Sequence, residues 1–175
     1  MNEQPSWCHV RLYVFGDPAD QNAFRDRVRG MPGRGAASTS AGNVGSMAAA
    51  DFSFQSLVPM PSTLRRVAER TEEAVEWMER HWGPDREVEP DAIGVVEMDG
   101  ILAYRFRCAW IPPEAWLESV ARDFPELAFR LDYYGTEFCI AGRVVCEQGA
   151  VAERLDAPDP HAVQLFAKMH FGVDL

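Results

Sequence analysis

The sequence lacks an excess of basic residues, a long apolar run and any familiar catalytic motif. It has 17 Lys and Arg against 27 Asp and Glu, a formal net charge of −10. Nucleic-acid binders and proteins of anionic membrane surfaces need a basic footprint, so both classes of partner are disfavoured. The longest apolar runs are too short to span a bilayer. No GxSxG, HExxH or GxxxxGK[ST] motif occurs. These absences favour a non-catalytic protein over an enzyme.

Paired cysteine motifs and a secretory leader are also missing. The four cysteines contain no CxxC spacing, and residues 1–5 show neither a charged start nor an apolar stretch. We therefore expect a cytoplasmic protein with reduced, mostly buried thiols. The four histidines are dispersed along the chain, whereas a structural zinc site needs four convergent ligands. The sequence predicts no metal and no cofactor.

The chain is organised around a hairpin between Ile93 and Trp116. Two β-rich runs flank Asp99-Gly100, a dipeptide that readily adopts the positive φ angles of a tight turn. The second run alternates strictly, with an apolar set of side chains on one face: Leu102, Tyr104, Phe106, Cys108 and Trp110. Arg105 and Arg107 lie on the other face. This pattern predicts a strand with one buried side and one polar side.

Alternation and helical spacing predict the remaining elements. Further strands are expected at Trp7 to Phe15, Phe52 to Val58, Leu127 to Tyr134, Glu137 to Cys146 and Val151 to Leu155. Helices are expected from Ala19 to Arg29, from Pro113 to Asp123 and after Asp159-Pro160, where Val163, Phe166 and Met169 would face inward. Leu64 to Trp82 reads as one long helix or as two helices broken near Thr71.

Strands joined by hairpins, with helices between them, predict an α+β fold. We expect a ferredoxin-like core with a largely antiparallel sheet and helices packed on one face. Residues 1–175 are predicted to form a single domain. The Gly-, Ala- and Ser-rich segment 30–50 cannot bury enough apolar surface to repay its ordering, and we expect a flexible insertion there.

Several short motifs occur in an order that resembles a known family. They are Trp7-Cys8, a strand ending in Val58-Pro59-Met60-Pro61, Trp77 with His81-Trp82-Gly83, the Ala109-Trp110-Ile111-Pro112-Pro113 end of the central strand, Phe124-Pro125-Glu126-Leu127, and Tyr134-Gly135 to Phe138 with Gly142. Over about residues 7 to 145 the chain is similar to the YubB-like family of plasmid- and phage-associated proteins. The resemblance implies a ferredoxin-like domain and a mobile-element setting, with no established activity.

One face of the predicted sheet collects arginines in an otherwise acidic protein. If the apolar strand faces pack against helices, the opposite face carries the candidate ligand-binding residues His9, Arg11, Tyr13, Arg105, Arg107, Arg130 and Arg143. Arginine guanidinium groups bind carboxylates and phosphates in a bidentate manner. The face therefore predicts a site for a small anionic ligand or an acidic protein partner.

Structural explanations of the same arginines stay open. Cross-strand pairs with Asp132, Glu137 or Glu97 would account for them, as would coverage by the last helix or by a second subunit in a homo-oligomer. The leading hypothesis is a non-catalytic cytoplasmic binding or accessory protein. The alternative is a small enzyme or anionic-ligand-binding domain in which Tyr13 or His9 assists the arginines. A third hypothesis is an acidic decoy for DNA-binding proteins, which requires carboxylates clustered on one surface.

Overall fold

A six-stranded antiparallel sheet, with strand order β2-β3-β1-β4-β5-β6, organises the molecule. The computed structural model describes residues 6–30, 50–65 and 71–175. The strands are β1 Trp7–Phe15, β2 Gly94–Met98, β3 Ile101–Ala109, β4 Ala128–Gly135, β5 Ile140–Glu147 and β6 Ala150–Asp156. The helices are α1 Pro18–Val28, α2 Phe54–Leu57, α3 Ser62–Arg65, α4 Glu72–His81, α5 Glu114–Asp123 and α6 Pro160–Phe171, with a 3₁₀ turn at Pro90–Ala92.

The order of the first four strands is that of a ferredoxin-like core. Strands β2, β3, β1 and β4 lie side by side, with α1 between β1 and β2 in the chain and α5 between β3 and β4. Strands β5 and β6 extend the sheet beyond β4. The predicted α+β, ferredoxin-like fold with a largely antiparallel sheet is confirmed.

The central hairpin has the predicted turn and register. Asp99 and Gly100 have φ angles of 52° and 78°, as a two-residue turn with two positive φ values requires. The predicted apolar face is buried within β3, with Tyr104 at 0% and Phe106 at 4% exposure, while Arg105 is exposed. Trp110, predicted to share this face, lies beyond the end of the strand with a φ of 67° and is half-buried. We call the opposite, arginine-bearing side of the sheet the outer face.

The main core lies between the inner face of the sheet and a layer of helices and loops. Aromatic rings from several elements meet there; Phe52 stacks on Phe106 with centroids 4.6 Å apart and lies 5.1 Å from Trp116. Trp116 is fully buried and donates its indole N–H to the carbonyl of Phe54 at 3.2 Å. Likewise, Trp82 donates to the carbonyl of Val58 at 2.9 Å. These bonds fix the segment around α2 to helices α4 and α5.

The predicted strand from Phe52 to Val58 is wrong, because this segment forms the short helix α2. The carboxylate of Glu87 accepts hydrogen bonds at the start of α2 from the Ser53 hydroxyl at 2.8 Å and from the backbone N–H groups of Phe54 at 2.8 Å and Gln55 at 2.9 Å. An acceptor 32 to 34 residues away thus satisfies the first N–H groups of the helix. Ser53 and Gln55 therefore do not belong to the sheet.

The structure partly settles whether the helical pattern from Leu64 to Trp82 forms one helix or two. Thr71 is the N-cap of α4, and its hydroxyl accepts a hydrogen bond from the N–H of Ala74 at 3.3 Å, which favours two helices over one. Residues 66–70, between α3 and α4, lie outside the described residues.

Residues 31–49 also lie outside the described residues, and with them nearly all of the predicted flexible insertion. At its boundaries, the N–H of Gly30 donates to the carbonyl of Ala50 at 2.9 Å.

Helix α6 does not follow the prediction that helices pack on one face. It lies on the outer face over β4 and β5, in a second apolar cluster of Tyr134, Ala141, Val163, Phe166 and Ala167. Asp159 caps it as predicted, accepting from the N–H of Ala162 at 2.9 Å. Met169, predicted to face inward, is 68% exposed. The helix is too short to cover the whole outer face.

Candidate functional site

Strand register brings the seven predicted site residues together on the outer face. Arg105 lies directly opposite Arg11, which lies opposite Asp132, which in turn lies opposite Arg143. This gives one row across β3, β1, β4 and β5. His9 faces Arg107 in the row on one side, and Tyr13 faces Arg130 in the row on the other. The structure then divides these residues into a closed half and an open half.

The closed half is built around a buried carboxylate. Asp132 is 0% exposed and accepts hydrogen bonds from Arg130, including one of 2.5 Å, and from Arg143 at 2.6 Å and 3.3 Å. Burial alone would raise the pKa of Asp132, but hydrogen bonds from both guanidinium groups outweigh it, and the pKa lies below its ordinary value. Arg130 and Arg143 are thus committed to an internal ion-pair network, one of the structural explanations considered for this face.

Helix α6 covers this half and reaches toward β1. Arg143 lies 3.3 Å from Nδ1 of His170, and Arg11 donates to the backbone carbonyl of His170 at 2.7 Å. The guanidinium of Arg11 also lies 5.0 Å from the ring centroid of Phe171. Burial and the charge of Arg143 lower the pKa of His170. The end of α6 therefore forms a wall beside β1 and leaves β3 and β2 uncovered.

The open half is a groove over β1, β3 and β2 that we call the arginine groove. It consists of two adjoining cavities of about 520 Å³ and 370 Å³, both lined by Arg11 and Arg105. The larger is polar, and its other lining residues include His9, Arg107, Asp91 and Phe171. The smaller is apolar, and its other lining residues include Tyr13, Val96, Met98, Ile101 and Ala103.

The three arginines of the groove differ in how they are held. Among the described residues, the exposed side chain of Arg105 has no hydrogen bond or ion pair. Arg107 donates to Glu89 at 2.9 Å, and its guanidinium lies 4.3 Å from the ring centroid of Trp7. The Nε–H groups of Arg11 and Arg107 are buried and have no hydrogen-bond partner. The groove thus contains one unpaired guanidinium and two unsatisfied donors.

His9 and Tyr13 lie at different ends of the groove. The His9 ring stacks on Tyr134 with centroids 4.8 Å apart. Partial desolvation and the charge of Arg107 lower the pKa of His9, so the imidazole is neutral at pH 7 and can accept a proton or a hydrogen bond. Tyr13 lies under Arg130, whose guanidinium is 5.2 Å from the ring centroid. The two side chains could not act together on one small group.

Sequence reasoning missed several residues of the groove. Glu89 and Asp91 precede β2, and Phe171 ends α6; none of these belongs to the alternating pattern from which the outer face was predicted. Val96 and Met98 do alternate on β2, and the preference of a half-buried strand for one apolar face could have indicated them. Long-range packing of α6 left no signal in the local pattern.

Potential metal ligands, cysteines and apolar helices complete the description of the described part of the chain. Within residues 6–30, 50–65 and 71–175, no group of three His, Cys, Asp or Glu side chains is placed to hold a metal ion. Cys8, Cys108 and Cys146 are buried and unpaired, and burial raises the pKa of Cys108 well above its ordinary value. In these same ranges no helix has the length and apolar character needed to cross a bilayer.

Comparisons with known proteins agree with the fold. A family model described as the ferredoxin-like domain in Api92-like protein matches residues 91–169. The crystal structure of protein Api92 from Yersinia pseudotuberculosis is similar, with a TM-score of 0.59 at 9% sequence identity over 86% of this chain and 97% of that chain. No curated protein sequence matches significantly. The match over residues 91–169 includes β2 and β3 but not β1, so the arginine groove spans the boundary of the matched segment.

Proposed function

We propose that this protein is a non-catalytic binding protein that captures an anionic group in the arginine groove. The observation that carries the proposal is the unpaired guanidinium of Arg105, set beside Arg11 and Arg107 with their unsatisfied Nε–H groups. A carboxylate or phosphate supplies the oxygen acceptors that the exposed guanidinium of Arg105 lacks. Such a cluster in a chain of net charge −10 is a local reversal of the overall charge.

Electrostatics within the sheet support an anion at this position. Arg11 and Arg105 are direct cross-strand neighbours, and like charges facing each other in this way destabilise a sheet. In the closed half, Asp132 lies between two arginines, binds both and offsets one of their two positive charges. The open half has no equivalent acid between Arg11 and Arg105 among the described residues. A bound anion would supply the negative charge beside Arg11 and Arg105 that Asp132 supplies in the closed half.

The experiment measures anion binding and fold stability separately. Thermal unfolding of the full chain would be followed with increasing inorganic phosphate or citrate, because a ligand that binds the native state raises the melting temperature by mass action. The variant carries Arg105→Gln and Arg107→Gln, and the control carries Arg122→Gln, an exposed arginine of α5. We expect the shift in the wild type and the control, and its loss in the double variant.

Three results would oppose the proposal. An equal shift in the double variant would mean that the anion acts elsewhere on the molecule or through the general stabilisation that kosmotropic salts give to folded proteins. A double variant that loses stability while its anion binding is unchanged would assign the two arginines to structure alone. Absence of any shift in the wild type with both probes would remove anion capture as the function of the groove.

An enzyme that uses the same face is the second candidate, and the neutral imidazole of His9 beside Arg107 is the observation that favours it. General base catalysis needs a group of this kind within hydrogen-bond reach of the bound substrate. The two candidates differ in the fate of the ligand: a binding protein returns it unchanged. Mass spectrometry of ligand recovered from the wild type and from a His9→Gln variant separates them.

The cellular setting is part of the same proposal. The resemblance of the motif order to that of the plasmid- and phage-associated YubB-like family supports an accessory role in a mobile element, and the unpaired cysteines are compatible with the cytoplasm. Expression of the chain with a fluorescent tag in its source cell, followed by fractionation, would test the location.

A further inference from the structure

The open edge of β2 lies next to the arginine groove. In the sheet order, β2 is a terminal strand whose partner is β3. The pair Met98 and Ile101 closes the two-residue turn and so exchanges both of its backbone hydrogen bonds. Hydrogen bonding alternates along the strand, so the N–H and C=O groups of Val95 and Glu97 point away from β3. No backbone group within residues 6–30, 50–65 and 71–175 pairs with them, so in this part of the chain they form a template at the edge of the sheet.

Gly94 gives Arg105 access to this edge. The two residues are direct cross-strand neighbours, and a β-carbon placed on Gly94 would lie 3.9 Å from Nε of Arg105. The arginine side chain therefore passes close to Gly94, at the distance of an ordinary van der Waals contact from a β-carbon placed there. Strands lie about 4.8 Å apart, so a strand added to β2 would have its nearest residue about 10 Å from the Cα of Arg105. An extended arginine and a glutamate together span that distance.

Apolar side chains follow along the same edge. Val96 is 37% exposed and Met98 66% exposed, and both lie on the outer face of β2 in line with Gly94. With Tyr13, Ile101 and Ala103 they line the apolar cavity of about 370 Å³. The edge of β2 thus presents the cation Arg105 beside Gly94 at one end and the apolar side chains of Val96 and Met98 at the other. Positions 94, 96 and 98 have the spacing of alternate residues in a strand.

We propose that the edge of β2 binds an extended acidic peptide as an added strand, with an acidic residue opposite Gly94 and apolar residues opposite Val96 and Met98. The proposal rests on anion capture by the groove and names its partner. In this mode, main-chain hydrogen bonds supply affinity, and alternate side chains supply specificity. Asp91, at the groove rim, excludes acids from the position before Gly94 and so helps to set the register.

Charge directs such a peptide to β2 and not to the other edge of the sheet. The strand at that other edge, β6, carries Glu153 and Asp156, and its Arg154 already forms ion pairs with Glu114 and Glu118 at 2.9 Å each. An acidic strand would meet like charges there. Beside β2, Arg25 is paired with Glu97 at 3.0 Å on the inner side, which leaves Arg105 as the cation offered to the partner.

The test uses the full chain and a synthetic peptide, acetylated and amidated, of sequence Leu-Thr-Val-Thr-Glu. Run antiparallel to β2, it places Glu opposite Gly94 and the two Thr N–H groups toward the edge. Isothermal titration calorimetry would compare it with a peptide N-methylated at both Thr residues and with one ending in Gln. We expect each change to weaken binding by about tenfold or more. Arg105→Gln should weaken the parent peptide and leave the Gln peptide unaffected.

Each other outcome overturns the inference in a distinguishable way. Equal affinity of the N-methylated peptide means that acidic side chains bind without strand addition. Binding of citrate or phosphate with no binding of the peptide removes the inference and leaves anion capture standing, whereas failure of all probes removes both. Sedimentation of the free chain as a dimer that a Glu97→Pro substitution dissociates would mean that a second copy already occupies the edge.

Discussion

Replacing Asp132 with Asn is expected to destabilise the protein by about 3 kcal/mol, because it removes the buried charge that holds two half-buried guanidinium groups. The Asp132 carboxylate accepts five hydrogen bonds, three from Arg130 and two from Arg143. Asparagine has nearly the same shape, so packing changes little. What changes is that a neutral amide faces two cations and presents its N–H₂ group toward at least one of them.

The size of the expected loss of stability depends on how much of each arginine side chain is exposed to water. Removing one partner of a fully buried ion pair costs about 3–5 kcal/mol. Asp132 has a side-chain exposure of 1%, but Arg130 and Arg143 retain 33% and 19%. Water can therefore solvate part of each guanidinium after the substitution. This places the expected loss at the lower end of the range.

Urea unfolding at several pH values is the assay. The pKa of Asp132 is lowered in the folded state, so its contribution is complete above the unfolded-state pKa of about 4 and is lost as the pH falls through the lower folded-state pKa. The difference in unfolding free energy between wild type and Asp132→Asn should be constant from pH 7 to about pH 5 and should shrink below about pH 4. Asp26→Asn, at an exposed carboxylate 77% accessible, is the control.

A loss below about 1 kcal/mol at pH 7 would refute this reasoning, since it would mean that the network contributes no more than a surface ion pair. A difference that persists unchanged at pH 2 would refute it as well. In that case the effect of the substitution would come from packing and not from charge.

Three further substitutions test the fold. Glu87→Gln should cost about 1–3 kcal/mol in urea unfolding, because an amide replaces the carboxylate that accepts from the start of α2, whereas Glu89→Gln, at an exposed ion pair, should cost less than about 1 kcal/mol; equal losses would contradict the capping role. Gly142→Ala should cost about 1–3 kcal/mol, because its β-carbon would lie 2.5 Å from the Tyr133 hydroxyl and closer still to a β6 carbonyl; an unchanged urea midpoint would mean that this contact relaxes freely. Phe166→Ala should accelerate hydrogen exchange in α6 while β1 and β3 keep their protection, since the α6 cluster is separate from the main core; uniform acceleration across the sheet would show that the two clusters unfold together.

Local patterns were sufficient where one chain segment decides its own structure. The alternation of β3 fixed which side chains are buried, and Asp99-Gly100 indicated the turn, because both signals depend on adjacent residues. The strand predicted at Val151 to Leu155 corresponds to β6, which follows a similar turn at Gln148-Gly149 with φ angles of 52° and 81°. The collection of arginines on one face followed from the same alternation.

Distant partners decided the features that the sequence did not indicate. The segment from Phe52 reads as a strand by composition, and it becomes helical because Glu87 accepts from its first N–H groups. Arg105 and Arg143 look equivalent in the sequence. Only the fold shows that Asp132 neutralises Arg143, whereas Arg105 faces Arg11 across the strand pair.

The hydrogen bond between Gly30 and Ala50 gives the chain a pair of adjacent anchor points. A second hydrogen bond, from the N–H of Ser53 to the carbonyl of Val28 at 2.9 Å, holds the same two chain segments together. The segment that joins two such anchor points costs a loop-closure entropy on folding. This cost grows only with the logarithm of the number of residues in the segment. Related chains can therefore gain or lose residues between positions 30 and 50, or host an inserted module there, at little cost to the sheet.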